Sequence, residues 1–421
     1  MREDFLHFIW QYQKFDSKQL STTNGESITI FEKGHHNTNA GPDFKEARVK
    51  IDGIEWSGAI EIHLKASDWY KHKHDTDPNY NNVILHVVWE ADKAIKHAVS
   101  NEEIPTLSLK NKIDLKLLHQ YELIISAQSS IPCAAFWPEV NQLIKQQMLE
   151  NAVIERLDVK SQKAALYQQS NSGDWEETTY FMLLSALGFK INSPAFERLA
   201  QLLPYSVVRK YKRDKLSTSA LIFGTAGFLD DTFQDDAKFT LKKEWQFLKH
   251  KHRLERQLQQ HEWNMLRLRP VNFPVVRLAQ LAEILCATDS LFNLFAKSLN
   301  VKHLKKILQL PIINHFDENG AGKEIQIGRT SIESIILNTA PPLLTLYAKA
   351  TDNAHYMDKA IETLEAFKAE NNVITRKYQA LGYDLKTAFD SQACIQLYNN
   401  YCDKKRCLDC KIGVSIMSKV K

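Results

Sequence analysis

The 421-residue chain is sparing in the residues that loosen a protein: 14 glycines and 12 prolines. That scarcity argues against long flexible linkers or a low-complexity architecture. No run reaches the roughly 18 apolar residues that a membrane span needs. Nor does the start read as a secretory signal, since Met1-Arg2-Glu3-Asp4 is acidic and Gln11 and Gln13 interrupt the apolar residues that follow. With six cysteines, a disulfide framework is not expected, and a reducing, cytoplasmic location is. Charge is nearly balanced: 54 basic and 50 acidic residues leave a net +4, too little to require a nucleic-acid partner. The chain has no Gly-x4-Gly-Lys-Ser/Thr loop and no Gly-x-Gly-x-x-Gly. A nucleotide or dinucleotide cofactor is therefore not expected. It also lacks a Gly-x-Ser-x-Gly elbow, which removes the commonest serine-hydrolase signature.

What is present divides in two. Residues 1–125 carry mixed signals. A short apolar helix is expected over 3–15, followed by strands over 27–33, 47–51, 54–65 and 83–89 and an edge over 104–109. Asp52-Gly53 is a hairpin-turn pair. Residues 126–421 read as helical, with apolar periodicity over 139–170, 175–190, 194–203, 239–266, 275–300, 329–350, 354–380 and 384–402. Gly173, Pro194, Pro204, Pro270, Pro274, Gly320 and Pro341-Pro342 are the expected breaks. The expectation is an α/β domain with a mixed sheet, followed by a large all-α region ending in a cysteine-rich loop.

Potential ligands crowd into the first part. Asp43 follows the Gly41-Pro42 bend, Glu61 and His63 sit two apart on one strand face with Lys65 beyond, and His72, His74, Asp75 and Asp77 follow within six residues. Hydrolysis of a phosphodiester with a divalent metal needs hard ligands converging from different strands and a group that orients water. A hairpin would set Asp43 beside Glu61. By strand parity alone, however, Asp43 falls on the face of Ala47, Val49 and Ile51 and must turn at the bend. The bland alternative makes Asp43 a turn cap and Glu61 and His63 half-exposed strand residues. His86, inside an apolar strand, is more simply a core residue.

The pattern Pro42-Asp43, Glu61-x-His63 and the helix–strand signal from Trp69 to Trp89 resembles the PD-(D/E)XK nuclease superfamily. That resemblance implies a restriction-endonuclease-like core, Mg²⁺ or Mn²⁺ on Asp43 and Glu61, and His63 or Lys65 assisting the water. Position 63 departs from it, because histidine stands where the superfamily usually has lysine. Two alternatives follow: a non-catalytic nucleic-acid- or protein-binding scaffold on a degenerate nuclease fold, and a zinc hydrolase using His72 and His74, with Asp77 as a further ligand candidate. The segments Gly41-Pro42-Asp43-Phe44, Glu61-Ile62-His63, Ser67-Asp68-Trp69, His72-x-His74, Val83 to Val88, Arg269-Pro270-x-Asn272-Phe273-Pro274 and Tyr401-Cys402 through Gly413 also resemble a bacterial family known as domain of unknown function 2851. This second resemblance runs the length of the chain and implies no activity.

Two further features stand apart. Cys402, Cys407 and Cys410 form C-x4-C-x2-C in a basic loop, a spacing that suits zinc or an iron–sulfur cluster. Cys394 lies about 12 Å away along a continuous helix, too far for one metal. Cys133 is the candidate fourth ligand. Residues 238–269 carry nine Lys/Arg against three Glu. There Lys249, Arg253 and Arg256 at helical spacing, extended by Arg267 and Arg269, form a stripe that could track phosphates or simply be a solvated face.

Overall fold

The computed structural model describes residues 1–37, 39–97, 101–230, 236–266, 268–313 and 324–419. The chain forms two compact units, residues 1–149 with 397–421, and residues 150–396. The cysteine-rich loop, expected with the helical region, thus belongs to the unit that holds the sheet.

In the first unit, helix α1 (Glu3–Gln11) places Glu3 and Asp4 in its first turn, where acidic side chains complement the helix dipole. It buries Phe5, Leu6, Phe8, Ile9 and Trp10, at roughly 1.5–3 kcal/mol each. A mixed sheet follows, of β1 (Leu20–Ser21), β2 (Ser27–Glu32), β3 (His35–His36), β4 (Phe44–Ile51), β5 (Ile54–Lys65), β6 (Val83–Glu90) and β7 (Thr106–Ser108). The order is β1-β2-β4-β5-β6-β7, with β3 pairing β4. Strand β4 runs antiparallel to both β2 and β5, whereas β6 runs parallel to β5 and β7 parallel to β6. The parallel return needs a crossover, supplied by the short helix α2 (Asp68–Lys71) and the loop after it.

Asp52 and Gly53 both have positive φ, 47° and 85°, and close the β4–β5 hairpin as their sequence predicts. Strand β6 is buried on both faces from Val83 to Val88, which accounts for its nearly unbroken apolar run. Ala59, Ala66, Trp69, Val83, Val88, Ile95 and Ile104 form a core cluster beneath α2. Helix α3 (Leu115–Ser126) completes this part, with Asp114 capping its start through the Lys116 N–H.

The second unit is helical. Its elements are α4 (Gln142–Ser170, from residue 150 on), α5 (Trp175–Leu187), α6 (Phe189–Leu202), α7 (Tyr205–Val208), α8 (Lys215–Thr225), α9 (Asp236–His252), α10 (Pro274–Cys286), α11 (Val301–Leu308), α12 (Arg329–Thr351), α13 (His355–Glu365), α14 (Val373–Ala380) and α15 (Ala388–Leu397, to residue 396). Several sequence expectations are corrected here. Pro194 lies inside α6, and Pro341 and Pro342 lie inside α12. In α12 the burial of Ile335, Ile336, Leu343 and Leu344 outweighs the lost N–H groups. The helices expected over 275–300 and 354–380 are each divided, and the one expected over 239–266 stops at His252. Arg253 takes φ 53° there, the left-handed conformation that ends helices, without the glycine that would have announced it. Gly320 lies outside the described residues.

The motif Arg269-Pro270-x-Asn272-Phe273-Pro274 acquires a structural explanation. Pro270–Asn272 forms a single 3₁₀ turn and Pro274 opens α10. Asn272 Oδ1 lies at 2.5 Å from Nη2 of Arg277, a guanidinium only 1% exposed, and Gln280 Oε1 accepts from Nη1 at 2.8 Å.

Candidate functional site

The site is assembled where the antiparallel and parallel halves of the sheet meet. A β-bulge in β4 sets its phase. The register shifts between Phe44 and Ala47, with Glu46 at φ 59°. The extra residue returns Phe44 to the buried face of Ala47 and re-aims Asp43 to the opposite one, which removes the parity conflict seen in the sequence. Phe44 pairs with Ile60 across the hairpin, so Asp43 and Glu61 flank that pair on one face. They interlock: the Asp43 N–H donates to Glu61 Oε2 at 3.1 Å, and the Ile62 N–H donates to Asp43 Oδ2 at 3.0 Å.

Histidines close around this pair. Helix α2 ends in a Schellman turn, in which the His74 N–H donates to the Trp69 carbonyl at 3.0 Å and the Lys73 N–H to the Tyr70 carbonyl at 3.1 Å. Lys73 occupies the left-handed position at φ 62°, where glycine is usual. This turn folds His72 and His74 back over β5. His63 Nε2 lies 3.0 Å from His72 Nδ1, and His63 Nδ1 lies 2.8 Å from His86 Nε2. Glu61 Oε1 sits 3.2 Å from His74 Nε2 and 3.7 Å from His63 Nε2. His63, His72 and His74 each offer a ligand nitrogen, all within 4.8 Å of one another. His63 and His74 are buried and His72 is exposed. Two nitrogens bound to one tetrahedral zinc at about 2.05 Å would stand about 3.3 Å apart. The 3.0 Å His63–His72 spacing is therefore close to a coordinating edge.

Helix α1 adds two groups that the sequence reading treated only as part of an apolar helix. His7 Nε2 lies 3.2 Å from Asp43 Oδ2, and Glu3, one turn earlier, is electrostatically coupled to His7, Asp43 and Glu61. Their i, i+4 spacing on the polar side of an otherwise buried helix was the available signal.

The electrostatics divide the cluster. Burial lifts the Glu3 carboxyl to about 7; His7 opposes this, while Asp43 and Glu61 push it further up. Burial likewise raises Glu61, against the hydrogen bond from His74 and with the repulsion of Asp43. Burial works against charge on His7, but the Asp43 carboxylate, aided by Glu3 and Glu61, outweighs it and raises the imidazole. By contrast, burial and the neighbouring imidazoles hold His63 neutral, down to about 2. Burial, with His74, takes His86 to about 3. Carboxylates that repel, a His63 held neutral, and the nitrogens of His63, His72 and His74 converging on one point are what a divalent cation would stabilise. His86, bonded to His63 Nδ1, is placed to fix the tautomer that leaves His63 Nε2 a lone pair.

The other sequence candidates are placed differently. Lys65 is exposed, its N–H donating to Asp68 Oδ2 at 3.1 Å and its charge facing Asp92. Asp77 caps the turn Pro78–Tyr80 by accepting the Asn79 N–H. In the second unit the basic stripe is interrupted: Lys249 lies on α9 and bonds Gln257 Oε1 at 3.0 Å, whereas Arg253 and Arg256 follow the helix end. Arg269 is exposed before the 3₁₀ turn, and Arg267 lies outside the described residues. Among the described residues no helix is long and apolar enough to cross a membrane.

Fold and site together define an α/β protein with a buried carboxylate–imidazole cluster on a mixed sheet and a separate helical unit. The chain belongs to the family described as protein of unknown function DUF2851, whose profile matches residues 3–373. The match stops short of Tyr401 to Gly413, so the cysteine loop lies outside it. No curated protein and no solved structure matches the chain.

Proposed function

We propose that the first unit is a divalent-metal-dependent hydrolase of phosphodiester bonds in nucleic acid, a variant of the PD-(D/E)XK design. The observation that carries this reading is the reciprocal bonding of Asp43 and Glu61 on adjacent strands. The order of helix, three antiparallel strands, helix and parallel strand supports it. Asp43 and Glu61 would hold the metal, as the sequence suggests, with His63, His72 and His74 alongside. Such a mixed nitrogen–oxygen set suits Mn²⁺ or Zn²⁺ better than Mg²⁺, which prefers oxygen ligands and retained water. When bound, a divalent ion would supply Lewis-acid polarisation of the phosphoryl group and of the attacking water.

The chain's own residues do the rest. Glu61 ties the carboxylate pair to the imidazoles, His86 orients His63, and His7 neutralises part of the charge on Asp43. His72, the exposed member, is the group an incoming substrate meets first. With Lys65 turned to solvent, proton handling falls to the imidazoles. A second reading, a zinc hydrolase acting on another substrate class, is favoured by the convergence of His63, His72 and His74.

The test is cleavage of labelled single- and double-stranded DNA and RNA with Mn²⁺, Mg²⁺ or Zn²⁺, beside Asp43→Asn and His72→Ala. Metal-dependent cutting that disappears in both variants supports the nuclease reading. Stoichiometric zinc binding without cutting favours the second. Inertness with no metal binding at this cluster leaves the chain a scaffold.

A further inference from the structure

A second group of side chains of metal-ligating type lies elsewhere in the first unit, more widely spaced than the imidazoles, since its sulfurs do not all lie within 4.8 Å of one another. Cys133 follows α3, and Cys402, Cys407 and Cys410 lie in the C-terminal loop; all four are buried, at 6–8% exposure. None forms a disulfide. Two hydrogen bonds bracket their approach. On one side of Cys133, Lys405 Nζ donates to the Ile125 carbonyl at 2.6 Å; on the other, Lys419 Nζ donates to the Glu139 carbonyl. Both flanks of Cys133 are thereby tied to the C-terminal segment, one to the middle of the cysteine loop and the other to the residue after the terminal helix.

The loop is shaped tightly around its thiols. The Cys410 N–H donates to the Cys407 carbonyl at 3.3 Å, and the Lys405 N–H to the Cys402 carbonyl at 3.1 Å. A Cβ at Gly413 would stand only 2.0 Å from the Cys407 carbonyl oxygen, so the terminal helix Lys411–Ser418 can pack there only with glycine. Backbone N–H groups of Gly413 and Ile412 lie beside Cys410. The ionisable groups that surround Cys133 are Cys402, Cys407 and Cys410. Four buried thiols from two distant segments, with backbone donors beside a sulfur and a lysine near Cys407, make a polar cluster that a thiophilic cation would neutralise.

We propose that Cys133, Cys402, Cys407 and Cys410 form a four-thiolate metal centre that clips the C-terminal segment onto the α/β unit. Zinc and an iron–sulfur cluster share this ligand chemistry, and the experiment separates them. The site is independent of the carboxylate–imidazole cluster and of the activity proposed for it.

The test uses the full-length chain, purified without oxygen and reconstituted either with Zn²⁺ or with iron and sulfide. Zinc, iron and acid-labile sulfide are then measured together with the visible spectrum. One centre per chain is expected at the cysteines: a single zinc without colour, counted in the His72→Ala/His74→Ala background where the imidazole cluster does not contribute, or iron and sulfide in equal amounts with sulfur-to-iron absorption. Its occupancy should fall at least tenfold in Cys133→Ser and in Cys407→Ser, and persist in the double variant His72→Ala/His74→Ala. Should the serine variants not fold, thiol titration of the native wild type replaces them. The four thiols should then be protected until a chelator strips the metal. Absence of a stoichiometric centre after both reconstitutions, equal occupancy in the serine variants, or thiols that react alike with and without chelator would overturn the proposal.

Discussion

Replacing Asp43 by asparagine removes a charge while leaving the fold's hydrogen bonds in place. The same oxygen, Oδ2, accepts the Ile62 N–H at 3.0 Å and lies 3.2 Å from His7 Nε2. An asparagine carbonyl can take that position, which puts the amide NH₂ where the other carboxylate oxygen stood. Hydrogen bonds to charged groups contribute about 1.5–3 kcal/mol and neutral ones about 0.5–1.5, so roughly 1 kcal/mol is lost. Relief of repulsion with Glu3 and Glu61 offsets part of this, and the metal-free variant should stay within about 1 kcal/mol of wild type.

Metal binding should change far more. Altering groups around a metal's ligands typically costs 10–100-fold in affinity, so loss of an anionic ligand should cost at least about 100-fold. At free Mn²⁺ of 100 times the wild-type Kd, binding stabilises wild type by about 2.7 kcal/mol. The variant would gain only about 0.4 kcal/mol. In a unit of roughly 170 residues, that gap corresponds to about 5–9 °C in the metal-induced rise of Tm. Thermal unfolding with and without Mn²⁺ or Zn²⁺ measures it. An Asp43→Asn protein that folds normally and shows the full metal-induced shift would refute the assignment of Asp43 as a ligand.

Three other outcomes follow from specific contacts. Lys73 and Glu46 hold left-handed φ of 62° and 59° on either side of the cluster. Glycine at either position relieves about 1–2 kcal/mol of strain and costs about 0.5–1 in chain entropy, so urea denaturation should show a gain of up to about 1.5 kcal/mol. Valine at Lys73 should instead destabilise and weaken metal binding, and a gain with valine would contradict the turn. Asn272→Ala should cost about 2–4 kcal/mol, because it strips an acceptor from the buried Arg277 guanidinium; a change below about 0.5 would show that Gln280 suffices. Gly413→Ala should undock the terminal helix, read as faster labelling of Cys407 in the native protein, and unchanged labelling would sink that packing argument.

Periodicity found the sheet because its strands carry unambiguous signals: an Asp-Gly hairpin, a half-buried β5 and a fully apolar β6. It also brought Asp43 beside Glu61 through the hairpin. The bulge that orients Asp43 was not legible, since Glu46 in a left-handed conformation has no sequence mark. Glu3 and His7 were hidden by the apolar residues around them, although their spacing put them on one face of α1. The Schellman turn that gathers His72 and His74 was equally silent, with lysine where glycine would have signalled it. Arg253 ends α9 for the same reason, which is why a stripe drawn on helical spacing does not survive. Local propensity is a weak guide wherever tertiary packing imposes a conformation that the residue does not favour.

The histidine at position 63 poses the sharpest question, because the nuclease design proposed for this unit has lysine there. In this chain a lysine would not be a simple exchange. His63 is 1% exposed, both its nitrogens lie near imidazole partners, and burial with those neighbours keeps it uncharged. An ammonium in its place would sit buried among three histidines with Glu61 as its nearest counter-charge, and it would remove one of three converging nitrogens. His63→Lys should therefore destabilise the metal-free unit by roughly 3 kcal/mol or more. It should also lower Mn²⁺ or Zn²⁺ affinity, where a drop-in replacement would preserve or raise cleavage. The cationic partner of the carboxylates is then His7, whose imidazole Asp43 draws toward the charged form from the opposite side of the pair. If His63→Lys folds as well as wild type and cuts nucleic acid faster, the imidazole cluster is a dispensable variation on a lysine site. If it unfolds more readily and loses metal while His7→Gln lowers activity without unfolding, the histidines have taken over both ligand and charge.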